Sequence, residues 1–341
     1  AEARFPAEAF AVIREQRLLS LMIPRALGGE GASFAEVADV CTRLSKVCAA
    51  TGMVYAMHQI KLSSLVTHGD ESPWHRAFMR RVAEEQLLLG SATTETGIGG
   101  DLRNSICAIE RADDGLAARL TKDATVISYA LEADAILATA RKDPAAPSSD
   151  QVMVVVTKDQ YTLDKTTGWN TLGMRGTCSE GFVLKAEFPT EQIFPSPFAE
   201  IAAQSMLACA HLFWSSIWLG IAYGAMGRAQ TFVKGEVRKS GGTMPLVVQR
   251  LAEADTRLHL MRATVTDGIA RFMAAQKDET VLDSVGFGAA MLTVKIATSE
   301  MVVDIVNRAM LICGIAGYRT DTPFSLGRYL RDAHSAPIMI S

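Results

Sequence analysis

Apolar residues in the first quarter of the chain recur at the spacing of amphipathic helices. Between residues 7 and 89 they repeat every three or four positions, which is the period of a helix with one buried face. The glycine-rich segment 28–31 and the pair Ser72-Pro73 interrupt the repeat and predict turns between helices. The repeat runs through Phe10, Ile13, Val37, Val40, Leu44 and Val47.

The pattern changes near Leu88, where short runs rich in β-branched residues replace the helical repeat. These runs, bounded by turn residues, predict strands at 135–140, 151–157 and 181–184. The segment 144–149 has two prolines among Ala and Ser and is predicted to connect two strands as an exposed hairpin turn. The middle third is therefore predicted to be a β domain.

After residues 194–197 the chain returns to the helical period, most clearly in 246–273 and 291–312. The order helices, strands, helices predicts an α+β fold with domains at 1–88, 89–195 and 196–341. Because the strands cluster in the middle instead of alternating with helices, this order argues against a Rossmann fold.

One stretch, from Ile201 to Gly227, contains no Asp, Glu, Lys or Arg and is long enough to cross a bilayer. It nevertheless contains Gln204, Ser205 and His211 and lacks a basic flank at its start. We therefore predict a helix buried on all sides within the protein, and no membrane contact.

Composition argues against several classes of function. With 34 basic and 37 acidic residues, the formal net charge is −3, and no block of like charges marks a nucleic-acid or anionic-lipid surface. The six cysteines never form C-x-x-C, and with six scattered histidines they predict no metal site. The first ten residues lack the apolar region of an export signal, so we predict a cytoplasmic protein.

The segment from Ser91 to Asp101 carries the first candidate chemistry. It follows a predicted strand and combines hydroxyl groups, an acid and three glycines in eleven residues. Backbone N–H groups in such a loop can approach a flat polar ring closely. Taken alone, its glycine content favours an ordinary polar turn.

This loop resembles the T-E-P-x-x-G-S-D signature of the acyl-CoA dehydrogenase superfamily. Thr94 to Asp101 is the matching segment, with Thr96 and Gly100 in place of the proline and the serine. The resemblance implies that Thr94 hydrogen-bonds a flavin ring. It also places Gly100, which has no side chain, where the family contacts the CoA part of its substrate.

Two further segments of the β domain resemble the same family. Residues 126–134 are similar to its W-I-T-N-x-x-x-A-D strand and turn, which implies that Ser128 contacts the flavin and that Val126 replaces a covering tryptophan. Residues 172–179, Leu-Gly-Met-Arg-Gly-Thr-Cys-Ser, are similar to its L-G-M-R-G-[ST]-x-[ST] segment.

The helical C-terminal part supplies the last two similarities. Arg238 followed by Gln249 resembles the family's R-x-x-F-G and Gln, with Gly241 at the phenylalanine. A guanidinium fork suits two phosphate oxygens, and in the family this Arg reaches the FAD of a neighbouring subunit. Residues 311–318 and 331–333 resemble the family's G-G-x-G-[FY] and R-D-A segments.

Five segments in the family's order imply its fold: an N-terminal helical domain, a middle β domain and a C-terminal domain like a four-helix bundle. They imply FAD as the cofactor and a homotetramer or homodimer as the assembly. The residues implied to bind substrate are Gly100 and Arg175. Those implied to bind FAD are Ala92, Thr93, Thr94, Gly99, Val126, Ile127, Ser128, Arg238, Ser240, Gln249, Gly314 and Ile315.

The family's activity implies α,β-dehydrogenation of an acyl thioester carried by CoA or a carrier protein, with an electron-transfer flavoprotein or O2 as acceptor. Many members take the α-proton with a Glu nine residues after the R-D-A arginine, and that position is Ile340 here. Others place the Glu on the long helix before R-x-x-F-G, where this chain offers His211.

The missing carboxylate leaves two alternatives to dehydrogenation, which is the first possibility. A flavin-dependent monooxygenase of the same fold needs proton donors and exclusion of water more than a base, and His211 and His58 are its candidate catalytic residues. Each is also a lone histidine on an apolar helix, which is the usual setting of a core residue. The third possibility is a non-catalytic subunit that binds FAD.

Overall fold

The predicted order of secondary structure is confirmed in a computed structural model that describes residues 2–99, 101–241 and 246–339. Helices come first, strands follow, and helices complete the chain, as in the acyl-CoA dehydrogenase fold. The N-terminal helices are α1 (Ala7–Glu15), α2 (Phe34–Val47), α3 (Ala49–His68) and α4 (Pro73–Glu85).

Local chemistry explains where the last of these helices begins and ends. The Ser72 hydroxyl accepts a hydrogen bond from the His75 backbone N–H, and Pro73 occupies the first helical turn. Both features are typical of helix N-termini, because an orphan N–H gains a partner and proline has none to lose. At the other end, Gln86 adopts a left-handed conformation that terminates α4.

The middle strands form two sheets. The first has the order β1-β4-β5, with β1 parallel to β4 and β4 antiparallel to β5. The second is antiparallel with the order β2-β3-β7-β6. The turn predicted at 144–149 does join two antiparallel strands. The strands are β1 (Leu89–Ala92), β2 (Glu110–Arg111), β3 (Ala117–Ile127), β4 (Ala135–Arg141), β5 (Gln151–Thr157), β6 (Tyr161–Thr167) and β7 (Glu180–Pro189).

Strand β3 shows how sequence and burial correspond. Its side chains alternate between exposed and buried over most of its length, as expected for a strand with one face against a core. One buried position is occupied by Lys122 instead of an apolar residue. A buried lysine needs a charged or polar partner, and this one is part of the site described below.

The C-terminal part begins with α5 (Phe198–Ile201) and a π-helical turn at Ala202–Met206. The long helices that follow agree with the predicted apolar repeats, and Ser284 caps the start of α9 by accepting a hydrogen bond from Phe287 N–H. The remaining helices are α6 (Leu207–Lys239), α7 (Leu246–Ala275), α8 (Glu279–Leu282), α9 (Val285–Cys313), α10 (Ile315–Tyr318) and α11 (Gly327–Ala333).

The uncharged stretch predicted to be a core helix lies mostly in α6. Within the described parts of the chain, the helical segment Phe198–Lys239 is the one that is long and apolar enough to cross a membrane. Its most apolar stretch is 89% buried inside the protein. Length and composition alone are weak evidence for a span, because the core helix of a globular domain passes the same test.

Contacts divide the described residues into two compact units. The first takes those within Ala1–Val37, Val54–Asn170 and Arg175–Ala210, and it contains both sheets. The second takes those within Ala38–Met53, Thr171–Met174 and His211–Ser341. The predicted boundaries at 88/89 and 195/196 stay predictions.

Close packing of α6 in the second unit depends on glycine. A Cβ atom built on Gly220 would lie 2.3 Å from the Thr42 carbonyl oxygen and 2.7 Å from the Ser45 Cβ. Real Cβ atoms do not approach other atoms this closely, so α2 and α6 meet only because residue 220 has no side chain. On the same helix, a Cβ at Gly227 would meet nothing within 4 Å.

We predict opposite effects for the same substitution at these two positions. Gly220→Ala should destabilise the second unit by about 1–3 kcal/mol, because the added methyl group forces α2 and α6 apart. Gly227→Ala should be neutral or stabilise by up to about 1 kcal/mol, since alanine is the better helix former. Urea unfolding followed by circular dichroism measures both. Equal midpoints for the two variants would contradict the packing described.

Candidate functional site

The first two predicted motifs lie side by side at the ends of β1 and β3. The Thr94 hydroxyl donates a hydrogen bond to the Val126 carbonyl oxygen at 2.9 Å. Two residues on, the Thr96 backbone N–H donates to the Asp123 carbonyl oxygen, also at 2.9 Å. The loop after β1 therefore runs along the end of β3, which brings Ala92–Thr94 next to Val126–Ser128.

A buried ion pair beneath this loop holds it in place. Glu95 is 5% exposed and Lys122 is 0% exposed, and the Lys122 Nζ lies 3.1 Å from a Glu95 carboxylate oxygen. The carboxylate also accepts hydrogen bonds from the Ser105 hydroxyl at 2.8 Å and from the Cys107 N–H at 2.6 Å. Lys122 donates in addition to the Thr139 carbonyl oxygen on β4.

These partners determine the charge state of Glu95. Burial by itself would raise the pKa of the carboxyl group, but the Lys122 charge and the hydrogen bonds from Ser105, Lys122 and Cys107 outweigh it, so the pKa is lowered from its ordinary value. Glu95 is therefore ionised at neutral pH. The glutamate of the T-E-x-x-x-G loop serves as an anchor and is not available to substrate.

The second and third motifs are joined by a chain of hydroxyl groups. Ser128 and Ser179 share a hydrogen bond of 2.7 Å, and Thr177 and Ser179 share one of 2.8 Å. All three residues are buried. The Tyr129 backbone N–H donates to the Thr177 carbonyl oxygen, which fixes the two segments together. Arg175, predicted to contact substrate, is exposed on the short 3-10 helix before Thr177.

The donor set at the ends of β1 and β3 fits the polar edge of a flavin ring. Thr93 and Thr94 are half-buried, and the Ser128 hydroxyl keeps hydrogen-bonding capacity beyond its bond to Ser179. Beside them Ala92 and Ile127 are buried and apolar. The hydroxyl groups suit a flat ring with carbonyl and N–H groups on one edge, whereas the side chains of Ala92 and Ile127 belong to the core.

The predicted diphosphate residues lie in the helical C-terminal part. Arg238 and Gln249 are exposed near the end of α6 and the start of α7, with residues 242–245 between them outside the described chain. Ser240 follows α6 and is half-buried. At the end of α9, Gly314 has φ +54° and a Cβ on it would meet nothing within 4 Å, and Ile315 is 73% exposed. The backbone at 314–315 is therefore open to a ligand.

His58 is fully buried, and both of its ring nitrogens bond to the backbone. The Leu89 N–H donates to Nδ1 at 2.9 Å, so the proton is on Nε2, which donates to the Leu19 carbonyl oxygen at 2.7 Å. Burial lowers the pKa of His58 to about 4. Both nitrogens of this neutral imidazole join the N-terminal segment to β1, which is the geometry of a core histidine, and the catalytic role of His58 stays a prediction.

His211 differs from His58 because one of its nitrogens has no partner. Its Nδ1 is buried and makes no hydrogen bond within the described residues, and the same is true of the Trp214 and Trp218 indole N–H groups. The spacing i, i+3, i+7 places these three side chains on one face of α6. Burial, and then the nearby charge of Lys295, lower the pKa of His211 to about 4.

Unsatisfied donors of this kind are costly inside a protein, because each loses its bonds to water without gaining a replacement. The nitrogens of His211, Trp214 and Trp218 are therefore unsatisfied polar atoms inside the second unit. Gly99 lies in the turn after the β1 loop with φ +60° and nothing near its Cβ position. Gly100 and Ile340 lie outside the described residues.

Sequence reasoning missed the residues that hold the site together. Lys122 had a detectable signal, since a lysine occupies an inward position of an otherwise alternating strand. Lys295, Trp214 and Trp218 had no such signal, because the sequence shows only that they lie in apolar helices. Within the described ranges, no group of three His, Cys, Asp or Glu side chains lies close enough to hold a metal ion.

Two family models match the chain at its two ends. The N-terminal domain of acyl-CoA dehydrogenase matches residues 1–86, and the C-terminal domain matches residues 202–339, together about two thirds of the chain. The chain belongs to the acyl-CoA dehydrogenase superfamily. Its oxidoreductase members include dehydrogenases and monooxygenases.

Similar proteins of this superfamily differ in their reactions. The amino sugar nitrososynthase DnmZ of Streptomyces peucetius is 27% identical, covering 99% of this chain and 83% of its own. The probable FMNH2-dependent monooxygenase SfnC of Pseudomonas putida is 24% identical, covering 89% and 77%. The human mitochondrial short-chain specific acyl-CoA dehydrogenase is 25% identical, covering 99% and 80%.

Solved structures show the same fold. FMN-bound TdsC from Paenibacillus sp. A11-2 superposes with a TM-score of 0.83 at 19% identity, covering 98% of this chain and 87% of its own. Butyryl-CoA dehydrogenase from Megasphaera elsdenii superposes with a TM-score of 0.80 at 17% identity, covering 100% and 88%. At these identities the likeness establishes the fold alone.

We predict that Glu95→Gln destabilises the first unit by about 3–5 kcal/mol, because it leaves the Lys122 charge buried without a counter-charge. The double variant Glu95→Gln/Lys122→Met should recover most of this loss. Asp101→Asn is the matched control, since Asp101 pairs with an exposed Arg103 and such pairs contribute about 0–1 kcal/mol. Urea unfolding of the three variants tests the difference.

The same variants carry a pH test. The folded-state pKa of Glu95 lies below its unfolded value of about 4.3, so its contribution is fully present above that pH and is lost as the pH falls through the folded-state pKa. The gap between wild type and Glu95→Gln should be constant from about pH 7 to pH 5 and should narrow below about pH 4. A gap independent of pH down to acid unfolding argues against an ionised Glu95.

Proposed function

We propose that this protein is a flavin-dependent monooxygenase with the acyl-CoA dehydrogenase fold. One observation carries the proposal: neither position at which the family places its catalytic base offers a group that could take an α-proton at neutral pH. The C-terminal position is Ile340, a hydrocarbon. The position on the long helix falls in a region where His211 is the titratable side chain near the helix start, beside the buried Cys209.

His211 is a poor base because of its surroundings. Efficient general bases have a pKa near the working pH, whereas burial and Lys295 lower the pKa of His211 to about 4. Burial raises the pKa of the Cys209 thiol to about 12, which keeps it protonated. At neutral pH the His211 ring is therefore neutral, with one N–H donor and one bare nitrogen, and it can orient a substrate through a hydrogen bond.

Flavin binding rests on the donor set at the ends of β1 and β3. Thr94 and Ser128 would bond the polar edge of the ring. When bound in its reduced form, flavin supplies the electrons for the reaction with O2. Glu95 and Lys122 keep the hydroxyl groups in position without taking part in the chemistry.

Helix α6 has a dry face in the second unit, which carries His211, Trp214 and Trp218. Trp214 is 6% exposed and Trp218 is 0% exposed, so this face is dry and apolar apart from its nitrogens. Both indole N–H groups are enclosed by protein and have no hydrogen-bond partner among the described residues, whereas His211 is only half-buried. In such a dry setting, a hydrogen bond from His211 to a substrate would be stronger than in water.

The nitrososynthase and monooxygenase relatives described above support this proposal. They are similar in sequence to this chain, and their names describe oxygen-transferring reactions. A second candidate is α,β-dehydrogenation of an acyl thioester, as predicted from the sequence. The human short-chain dehydrogenase, which is about as similar in sequence, favours it. Under that reaction an electron-transfer flavoprotein or O2 would accept the electrons.

We predict that the purified holoprotein, kept anaerobic, does not lose its flavin absorbance on addition of butyryl-, hexanoyl- or palmitoyl-CoA. No group at the family's base positions accepts the α-proton, so hydride transfer to the flavin is not started. After photoreduction, admission of air should restore the oxidised spectrum with consumption of O2. Stopped-flow absorbance and an oxygen electrode make the two measurements.

Rapid anaerobic bleaching by any of these thioesters would overturn the monooxygenase proposal in favour of dehydrogenation. His211→Phe and the exposed control His259→Phe refine the comparison. Since His211 is proposed to orient substrate, its replacement should leave flavin content unchanged. A loss of flavin from His211→Phe alone would indicate a role in holding the cofactor instead.

We also propose that the flavin is FAD and that the protein assembles as a homodimer or homotetramer. The support is Arg238 with Gln249 on successive helices, which resemble residues that reach the diphosphate of a neighbouring subunit's FAD. Both side chains are exposed in the single chain. A residue that contacts the cofactor of a neighbouring subunit has to be exposed in this way. FMN, which lacks the adenylate part, would leave Arg238 without this role.

We predict that Arg238→Ala weakens retention of FAD by on the order of tenfold or more while helical content is unchanged, because a charge-assisted bond to phosphate is removed without touching the core. Arg262→Ala, an exposed arginine on α7, is the matched control. Flavin released after dialysis is identified by mass spectrometry. Purification with FMN, or equal FAD retention by both variants, would contradict the FAD proposal.

A further inference from the structure

A cavity of about 340 Å³ lies in the second unit, and none of the residues proposed above to bind flavin or substrate lines it. It is formed between the middle of α6, the end of α2 and the segment that leads into α11. Its volume is at the lower end of the range for small-molecule sites. Its lining includes Lys46, Arg228, Thr231, Phe324, Arg328 and Tyr329.

The floor of the cavity is rigid because Gly224 allows close packing. A Cβ on Gly224 would lie 2.4 Å from the Tyr329 ring and 2.5 Å from the Lys46 carbonyl oxygen. The Tyr329 hydroxyl donates to that same carbonyl at 2.8 Å, and Tyr329 is 6% exposed. The ring is therefore fixed between α2, α6 and α11, and the cavity has a defined shape.

Two arginines are held over this ring. The Arg228 guanidinium carbon lies 5.0 Å from the Tyr329 ring centre, and that of Arg328 lies 5.8 Å from it. Arg228 donates to the Ser325 carbonyl oxygen and Arg328 to the Val47 carbonyl oxygen. Each guanidinium has five N–H donors, so one such bond orients it and leaves the others free for a ligand.

The charge of the cavity is uncompensated by its own lining. Lys46 adds a third cation, and none of the described residues that line the cavity is Asp or Glu. Two guanidinium groups within 6 Å of one ring centre repel each other, and cation–π contact of about 0.5–1 kcal/mol each offsets this only in part. A bound anion would remove the repulsion and use the free donors.

We propose that this cavity binds an organic phosphate ester. Two orientable guanidinium forks and an ammonium match the oxygens of a phosphoryl group, which arginine contacts in a planar, two-bonded geometry. The apolar half of the lining, with Phe324, Pro323 and Val47, suits the organic part of the ester. The lining shares no residue with the proposed flavin site, and this proposal does not depend on the proposed function.

The test is calorimetric titration of the holoprotein with phenyl phosphate and, separately, with inorganic phosphate at low salt. We expect one site per chain for phenyl phosphate, with tighter binding than inorganic phosphate. Gly227→Glu projects a carboxylate into the cavity from a position where a Cβ meets nothing within 4 Å. A second single variant, Arg228→Gln, removes one of the two guanidinium groups. Each of the two variants should weaken binding on the order of tenfold or more.

Arg111→Gln, an exposed arginine on β2, gives the same change of charge away from the cavity and should bind as wild type does. Circular dichroism reports correct folding of every variant. Loss of binding in both cavity variants with Arg111→Gln unchanged supports the site. No binding of phenyl phosphate to wild type, or equal weakening in all three variants, overturns it. Equal affinity for inorganic and phenyl phosphate overturns the ester as ligand.

Discussion

The buried ion pair between Glu95 and Lys122 is the constraint on which the proposed flavin loop depends. A carboxylate and an ammonium group removed from water are stable only when their charges and their hydrogen-bonding capacity are both satisfied. Here backbone amides, a hydroxyl group and a β4 carbonyl meet that requirement. The loop after β1 can therefore leave the sheet in one direction only. Thr94 reaches the end of β3 as a result, and in a low-dielectric interior such a network is rigid.

In the other unit, helix α6 has a comparable influence on what surrounds it. Gly220 and Gly224 let α2 and Tyr329 approach its backbone to distances that no side chain would permit. One face of the helix carries nitrogens without partners, and its middle borders the cationic cavity. A single apolar helix thus supplies close packing, nitrogens without partners and part of the cationic cavity, because glycine, aromatic and basic residues lie on different parts of its surface.

Burial gives His211 its chemical character in this scaffold. The environment that lowers its pKa makes it a weak base, yet it also makes its hydrogen bonds stronger than they would be in water. With Ile340 at the other base position, neither position offers a carboxylate, which is the basis of the proposed monooxygenase function. Members of one fold can differ in reaction through such local changes, since the fold positions the site and the side chains decide its chemistry.

The order of helices and strands was determined by the sequence alone, because periodicity and turn residues act over a few positions of the chain. Family resemblance also identified the segments that meet at the ends of β1 and β3. The tertiary structure alone decided how distant residues pair: Glu95 with Lys122, 27 residues apart, and His58 with two backbone groups. It also decided that Lys46 and Arg328 share one cavity. Such pairings depend on burial and on long-range packing, which no local pattern encodes.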